Sequence, residues 1–517
     1  MKALKIIILL TLILFNINNL LAQQKPGTSE NQSITYITGK IDNSLKHDTL
    51  SLVLQGPFLD DRLPEKFSTQ TLTTTTDANG EFKFKILTGK SPFHFSLFLS
   101  SRRNSRFGDL PGIGDITNYL IDAGDSIHVV FNKQSQYYTG KGSSLFEAQY
   151  AANKIMQLDS SGKNALTSDP NDYVHTNIEK WLQQKDSILN VQLDALAGYK
   201  ATISPFAYAI VRADIIGVNR GFVYQIIGLQ GQFRAPEKKM EPGLANVYKE
   251  LTERPDYFSK DDKANLSPEY INYLYLKIRL GVLYDRISRN ENISIYDRNY
   301  FPAITKQYAG SLRDKLLAYW LIQLTGRNDL QPEYLDKAIA AMQSAYFKSI
   351  AENLKATNAK GQSVKDFDFK DAKDKTVHLA DYRGKVVLID MWFSGCGGCL
   401  QVAAALPHIE ETFKNRSDMV FVSLCIDGDR DLWLKSIDKN LIGKHYTHYT
   451  TSTTKYLYTA GTGPNNPFIK AYVPTGSYPK LLIMDKEGKV FSSDPTRPEV
   501  ENGQPLIKEL NEALNAK

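Results

Sequence analysis

Three changes of pattern along the chain predict a multidomain protein. An N-terminal antiparallel β-sandwich-like domain comes first, then a central all-α region, then a C-terminal α/β domain. At 517 residues the chain is too long for one hydrophobic core, since single domains stop growing near about 250–300 residues. The hydrophobic period is two in the first part and helical in the middle, and the last part alternates between them. The domains so predicted are 30–135, 144–357 and 358–517, behind a leader over 1–22.

The leader is expected from the start of the chain. MKALK is followed by an apolar run from Ile6 to Phe15 and a small residue at Ala22. A basic start and a short greasy core read as a cleavable signal peptide. The run falls short of the roughly 20 residues that span a bilayer, although an uncleaved anchor is the competing reading. Leu20 stands at position −3, which leaves the cleavage site open. No cysteine lies near residue 22, so a lipoprotein is not expected. The mature chain is expected to be soluble, exported to the periplasm and free of transmembrane spans.

In the first domain, SITYITGKI, DTLSLVLQG, EFKFKIL and HFSLFLS alternate apolar and polar residues. The turn signals Asp77-Ala78-Asn79-Gly80 and Asp122-Ala123-Gly124-Asp125 separate them. Short strands at this spacing favour an antiparallel sandwich or barrel. The domain offers no clustered titratable groups, so it reads as a binding, packing or purely structural module.

The middle region places apolar residues three and four apart, as in EYINYLYLKIRLGVLYDRI. That is the stripe of a helix facing a core. Ser204-Pro205 is the pattern of a helix entry, with Ser as cap and Pro in the first turn. The tyrosines at 270, 273, 275 and 284 read as core, with ligand binding as the alternative. The charged and proline-rich stretch 236–268 is expected to be a long loop.

The last part alternates strands and helices, which predicts an α/β domain with a mostly parallel sheet. KTVHLADYRGKVVLIDMWF gives two strands, CGGCLQVAAALPHIEETFKN a helix, DMVFVSLCID a buried strand and KLLIMDKEGKVF a hairpin. PLIKELNEAL closes the chain as a helix.

Composition excludes several classes. Hydrophobic residues at 42% and charged ones at 23% are ordinary for a globular protein. A net charge of +6, interspersed along the chain, is too weak for an electrostatic nucleic-acid footprint. Cysteines occur only at 396, 399 and 425, so no disulfide framework staples the fold. Few and clustered, they point to chemistry.

Cys396-Gly397-Gly398-Cys399 falls where a strand runs into a helix. Backbone N–H groups at a helix N-terminus stabilise negative charge, and a thiol there can drop from about 8.5 to roughly 3.5–7.5. The first cysteine is the exposed one in such a geometry. The second, one turn on, is placed to close a small ring. This spacing fits two-electron thiol–disulfide exchange through a mixed disulfide. Inert thiols are a poor alternative in an exported protein, because nearby thiols oxidise. A zinc site with His445 and His448 would place them in a polar loop without a helix behind it. A c-type haem needs His after the second cysteine, where Leu400 stands. Peroxidase chemistry of the peroxiredoxin kind wants Thr or Ser where this chain has Phe393. No cofactor and no metal are expected.

From about Gly361 onward the chain resembles the thioredoxin superfamily, specifically the exported TlpA-like thiol–disulfide oxidoreductases. The matching residues are VKDFDF, HLADYRGKVVLIDMWF, CGGC, MVFVSLCID and YPKLLIMDKEGKV, in that order. The N-terminal β and helical regions resemble, more loosely, the accessory domains of some exported relatives. The resemblance implies a C-terminal thioredoxin-like domain with Cys396 as attacking cysteine and Cys399 as resolving one. It implies that Asp390 is a buried proton acceptor for the resolving thiol, with a strand-end carboxylate as the alternative. Trp392, Tyr478 and Pro479 are the implied substrate-binding residues, Pro479 as a cis-proline facing the disulfide. The chain departs from the family in Gly395 before the first cysteine, in its Gly-Gly dipeptide and in Pro407, eight residues beyond Cys399. Cys425 reads as a buried, inert thiol.

The expected function is therefore an exported thiol–disulfide oxidoreductase. By analogy with TlpA-like relatives it would reduce disulfides of client proteins and draw electrons from a membrane or periplasmic redox partner. The competing reading is a peptide-binding or scaffold protein with the same fold and little turnover.

Overall fold

A computed structural model of the chain describes residues 33–41, 49–55, 70–99, 116–132, 135–159, 178–234, 242–258, 263–289, 299–324, 332–438, 449, 454–473, 476 and 478–516. The expected leader, His445 and His448 lie outside the described residues. The chain divides into two compact units. The first takes in most of the N-terminal strands, and the second most of the helices and the whole C-terminal sheet.

The N-terminal unit is built on β1 (Ser33–Ile41), β2 (Thr49–Leu54), β3 (Gln70–Thr75), β4 (Glu81–Thr88), β5 (Phe93–Leu99), β6 (Ile116–Ile121), β7 (Ser126–Phe131) and β8 (Gln136–Lys141). They form two four-stranded sheets, ordered β4-β1-β7-β8 and β3-β2-β5-β6. In β4, Phe82, Phe84 and Ile86 are buried while Lys83 and Lys85 face out. That is the period-two signature that predicted these strands. The first sheet is not wholly antiparallel, however. β1 pairs antiparallel with β4 but parallel with β7. A parallel pair needs a long crossover, and here the intervening strands of both sheets supply it. A helix, α1 (Ser143–Asp159), follows β8. Its Phe146 packs on Phe95, Tyr119 and Tyr138, which come from both sheets. Gln149 holds the backbone of edge strand β6, accepting from Leu120 N at 2.7 Å and donating to Leu120 O at 3.0 Å. A side-chain amide thus satisfies peptide groups that no further strand among the described residues reaches.

The helical region contains α2 (Ile178–Ala197), α3 (Pro205–Arg234), α4 (Pro242–Glu253), α5 (Pro268–Ser288), α6 (Tyr300–Gln307), α7 (Gly310–Leu324), α8 (Pro332–Ala341) and α9 (Ala345–Asn358). α3 begins as the sequence predicts, with Ser204 Oγ accepting from Ala207 N at 3.0 Å. Helix α4 corrects the expected loop over 236–268. Val247, Tyr248 and Leu251, spaced one and three apart, bury one face of it, and Pro242 and Pro268 stand at helix starts rather than in a loop. Tyr270, Tyr273 and Tyr275 are core residues. Tyr224, whose ring meets that of Tyr273, and Tyr248 are also buried and donate their hydroxyls to Leu251 O and Ile227 O. No described helix is long and apolar enough to cross a membrane.

The C-terminal part carries β9 (Asp368–Asp371), β10 (Thr376–His378), β11 (Val386–Trp392), α10 (Gly397–Phe413), β12 (Met419–Cys425), α11 (Arg430–Ile437), β13 (Lys455–Tyr458), α12 (Pro467–Tyr472), β14 (Lys480–Met484), β15 (Val490–Ser492) and α13 (Gln504–Asn515). The sheet order is β10-β9-β13-β12-β11-β14-β15. Only the β11–β12 and β12–β13 pairs are parallel, while β9, β10, β14 and β15 join antiparallel. The expected mostly parallel sheet is thus a mixed one. Every residue of β11 is buried, because both faces of the sheet are covered. Val387, Ile389 and Met391 face Phe468, Ile469 and Tyr472 of α12. Val386 and Leu388 face Val402, Leu406 and Ile409 of α10 and Leu506 and Leu510 of α13. Alternation puts Asp390 and Trp392 on this second face, so the strand aims both toward the helix that carries the cysteines.

Candidate active site

The C-terminal ends of neighbouring parallel strands β11 and β12 lie side by side, with Trp392 opposite Cys425 in the register. Loops leaving such ends meet, and sites in α/β folds collect there. The loop after β11 runs Phe393-Ser394-Gly395 into Cys396, the N-cap of α10. Gly395 has φ of 94°, in the region that favours glycine. This turn brings the cysteine to the start of the helix. Cys399 N–H donates to Cys396 Sγ at 3.1 Å, so the sulfur occupies the place of a capping acceptor at the positive end of the helix.

Cys396 and Cys399 form a disulfide with Cα atoms 5.2 Å apart. Both are buried, Cys396 at 6% exposure and Cys399 at 0%. The expectation of an exposed first cysteine needs correction. Cys396 is the more accessible of the pair, but in the disulfide form Trp392, Ala403 and Tyr449 share its apolar cluster and little of it meets solvent.

Trp392 is fully buried. Its Nε1–H donates to Ser423 Oγ at 2.7 Å, and its ring stacks on Tyr449 with centroids 4.1 Å apart. It therefore presents no surface to a client in this state and acts as a wall behind the disulfide. Pro479 follows a cis peptide bond from Tyr478. It lies against the cysteine turn, since a Cβ placed on Gly398 would stand 3.0 Å from Pro479 Cδ. Tyr478 packs edge-on against Phe393 at 5.7 Å, and Phe393 is 38% exposed. Phe393, Tyr478 and Pro479 thus form an apolar rim beside the cysteines.

Asp390 is buried on β11, with Oδ1 lacking a hydrogen-bond partner among the described residues. Burial pushes its carboxyl up to about 7, and the like charge of Glu499 adds to the shift. A carboxyl so tuned can exchange a proton near neutral pH. Cys425 is buried beside Trp392. Its sulfur accepts from Asp427 N at 3.4 Å, and burial first, then the charge of Asp427, drives its thiol far above the usual range.

The structure adds residues that the sequence did not single out. Ser394 N and Oγ donate to the two oxygens of Asp427 at 3.0 and 2.5 Å, and Ser394 Oγ lies 2.6 Å from Ser436 Oγ. Tyr449 OH accepts from Gly395 N at 3.0 Å and donates to Cys396 O at 3.2 Å. Asp427 had one legible signal: it follows a strand parallel to β11, so its end must adjoin the cysteine loop. Tyr449 had none, because it lies in a loop 53 residues from Cys396.

A thioredoxin-like family model matches residues 384–490, from the start of β11 to the start of β15. The chain is similar to thiol-disulfide oxidoreductase ResA of Oceanobacillus iheyensis, with 25% identity over 143 residues, covering 26% of this chain and 71% of the relative. Among solved structures it is similar to a Bacteroides vulgatus protein provisionally described as a thiol-disulfide oxidoreductase. The identity is 30%, the coverage 28% of this chain and 87% of that one, and the TM-score 0.23. The thioredoxin domain of a second thiol-disulfide oxidoreductase from Bacteroides vulgatus matches at 22% identity, over 30% of this chain and 99% of that one, with a TM-score of 0.24. The C-terminal α/β domain of this chain belongs to the thioredoxin superfamily.

Proposed function

We propose that this protein is an exported thiol–disulfide oxidoreductase of the TlpA branch that reduces disulfides in client proteins. The observation that carries the reading is the Cys396–Cys399 pair at the N-terminus of α10, with Cys399 N–H directed at Cys396 Sγ. In the dithiol form, the Cys396 thiolate attacks one sulfur of a client disulfide. A mixed disulfide forms and the client's other sulfur leaves as a thiolate, which takes up a proton. Cys399 then loses its proton, with Asp390 as acceptor, and attacks Cys396 Sγ. The second client sulfur is released and the intramolecular disulfide closes. The client gains two electrons and two protons, and the cysteine pair loses them. A membrane-bound or periplasmic dithiol donor restores the pair. The rim of Phe393, Tyr478 and Pro479 receives the client, while the β and helical regions hold the redox domain near it.

Dithiothreitol-coupled reduction of insulin tests this. Wild type accelerates precipitation of the insulin chains and Cys396→Ser does not. An inactive wild type, or a fully active Cys396→Ser, removes the enzymatic reading and leaves a peptide-binding scaffold. A redox titration fixes the direction: a potential near about −270 mV marks a reductase and one near about −120 mV an oxidase.

A further inference from the structure

We propose that Tyr449 is a positioning residue that keeps Cys396 in front of the first turn of α10 once the disulfide is open. The inference rests on the thiol–disulfide reading above. One hydroxyl spans the peptide groups on both sides of the 395–396 link, accepting from Gly395 N at 3.0 Å and donating to Cys396 O at 3.2 Å. Gly395 is the hinge that needs such a brace. Its φ is 94° and its Cα faces open space, and glycine has the widest backbone freedom of any residue. The tyrosine itself is held firmly. Its ring stacks on Trp392 with planes 18° apart, its backbone N–H donates to Ser436 O at 3.3 Å, and it is 3% exposed.

Two redox states use this brace unequally. In the disulfide form, a covalent bond to Cys399 already fixes Cys396. In the dithiol form that tether is gone, and the local bonds Cys396 N to Phe393 O and Leu400 N to Cys396 O remain. The Cys396 sulfur is stabilised as a thiolate only while it stays opposite the amide of Cys399. Tyr449 therefore contributes more to the reduced form than to the oxidised one.

The test is Tyr449→Phe, which keeps the stacking ring and removes the hydroxyl. The readout is the equilibrium in which two glutathione molecules reduce the disulfide to the dithiol and form one glutathione disulfide. The constant is expected to shift about fivefold toward the protein disulfide, the factor that corresponds to one ordinary hydrogen bond. Alkylation of Cys396 by iodoacetamide at pH 7 is expected to slow, with its pH profile displaced upward. A merely structural role weakens both redox forms alike. An unchanged constant and an unchanged profile, whatever the melting temperature does, would overturn the proposal, as would a shift toward the dithiol. If Tyr449→Phe does not fold, the Gly395 amide proton of reduced wild type decides. Slow exchange supports the brace, and exchange at the rate of a free peptide sinks it. A wild type that equilibrates with glutathione yet never reduces insulin defeats the proposed function and leaves the test of Tyr449 intact.

Discussion

The rings of Trp392 and Tyr449 lie 4.1 Å apart and 18° from parallel, in the apolar cluster that also holds the Cys396–Cys399 disulfide. Each ring carries one polar atom, and each atom has a defined task. The indole N–H is tied to Ser423 on the neighbouring strand, and the phenol oxygen is tied to the cysteine loop. The stack thus connects the rigid sheet to the turn that presents the sulfur.

Ser423 is the anchor of that connection, which makes Ser423→Ala a sharp test. The substitution leaves a fully buried indole N–H without an acceptor, and such a group costs about 1–3 kcal/mol. The melting temperature is expected to fall accordingly, with the far-ultraviolet spectrum unchanged. Equal stability of variant and wild type would mean that the indole finds another acceptor.

The three cysteines should react in a fixed order. In reduced protein, iodoacetamide is expected to label Cys396 first, then Cys399, and Cys425 only on unfolding. Cys425 is fully buried and its thiol is pushed far up, so it offers neither access nor thiolate. Cys399→Ser should accumulate mixed disulfides with clients through Cys396, because the proposed resolving sulfur is gone. Peptide mapping by mass spectrometry reads both results, and early labelling of Cys425 would contradict the assigned roles.

What the sequence made legible follows from the range of each signal. β11 and the cysteine turn stood out because an apolar run, a turn and CGGC are contiguous. Pro479 was legible from a short motif, YPKLLIMD. The face of Asp390 followed from counting by two along one strand. The parallel pairing of β1 with β7 was not legible, since nothing in either strand encodes a partner about ninety residues away. Helix α4 was hidden because proline and charge, which mark loops on average, here mark a helix start and a solvent face. The bonds of Tyr449 were hidden for the same reason as the β1–β7 pair: they are tertiary, and no local pattern announces them.

Asp390 gives a pH prediction whose sign can be worked out. Below about pH 4 both folded and unfolded chains hold its proton. Between there and about 7 the unfolded chain releases the proton while the folded chain keeps it. Stability therefore falls as pH rises through this window and stays reduced above it. Asp390→Asn removes the penalty, so the variant should melt higher than wild type at pH 8 and equal to it at pH 4, by on the order of 1–3 kcal/mol. The same substitution removes the proposed proton acceptor for Cys399, and resolution of the mixed disulfide should slow by about tenfold or more. A variant whose advantage over wild type is no larger at pH 8 than at pH 4 would show that the folded chain does not hold this carboxyl protonated.

The two glycines between the cysteines should respond differently to the same change. Both sit in the first turn of α10, where alanine is favoured over glycine by up to about 1 kcal/mol. At Gly397 a Cβ meets nothing within 4 Å, so Gly397→Ala should raise the melting temperature and leave insulin reduction as it was. At Gly398 a Cβ comes within 3.0 Å of Pro479 Cδ, tighter than ordinary contact. The turn or the proline must then move by a few tenths of an ångström, on the rim proposed to receive the client. Gly398→Ala should therefore lose most of the stability gain and reduce insulin more slowly, while exchange with a small disulfide such as glutathione disulfide is less affected. Paired melting curves and paired assays on the two variants make the comparison. If Gly398→Ala gains as much stability as Gly397→Ala and keeps full activity, the close approach of Pro479 to the cysteine turn does not shape client access.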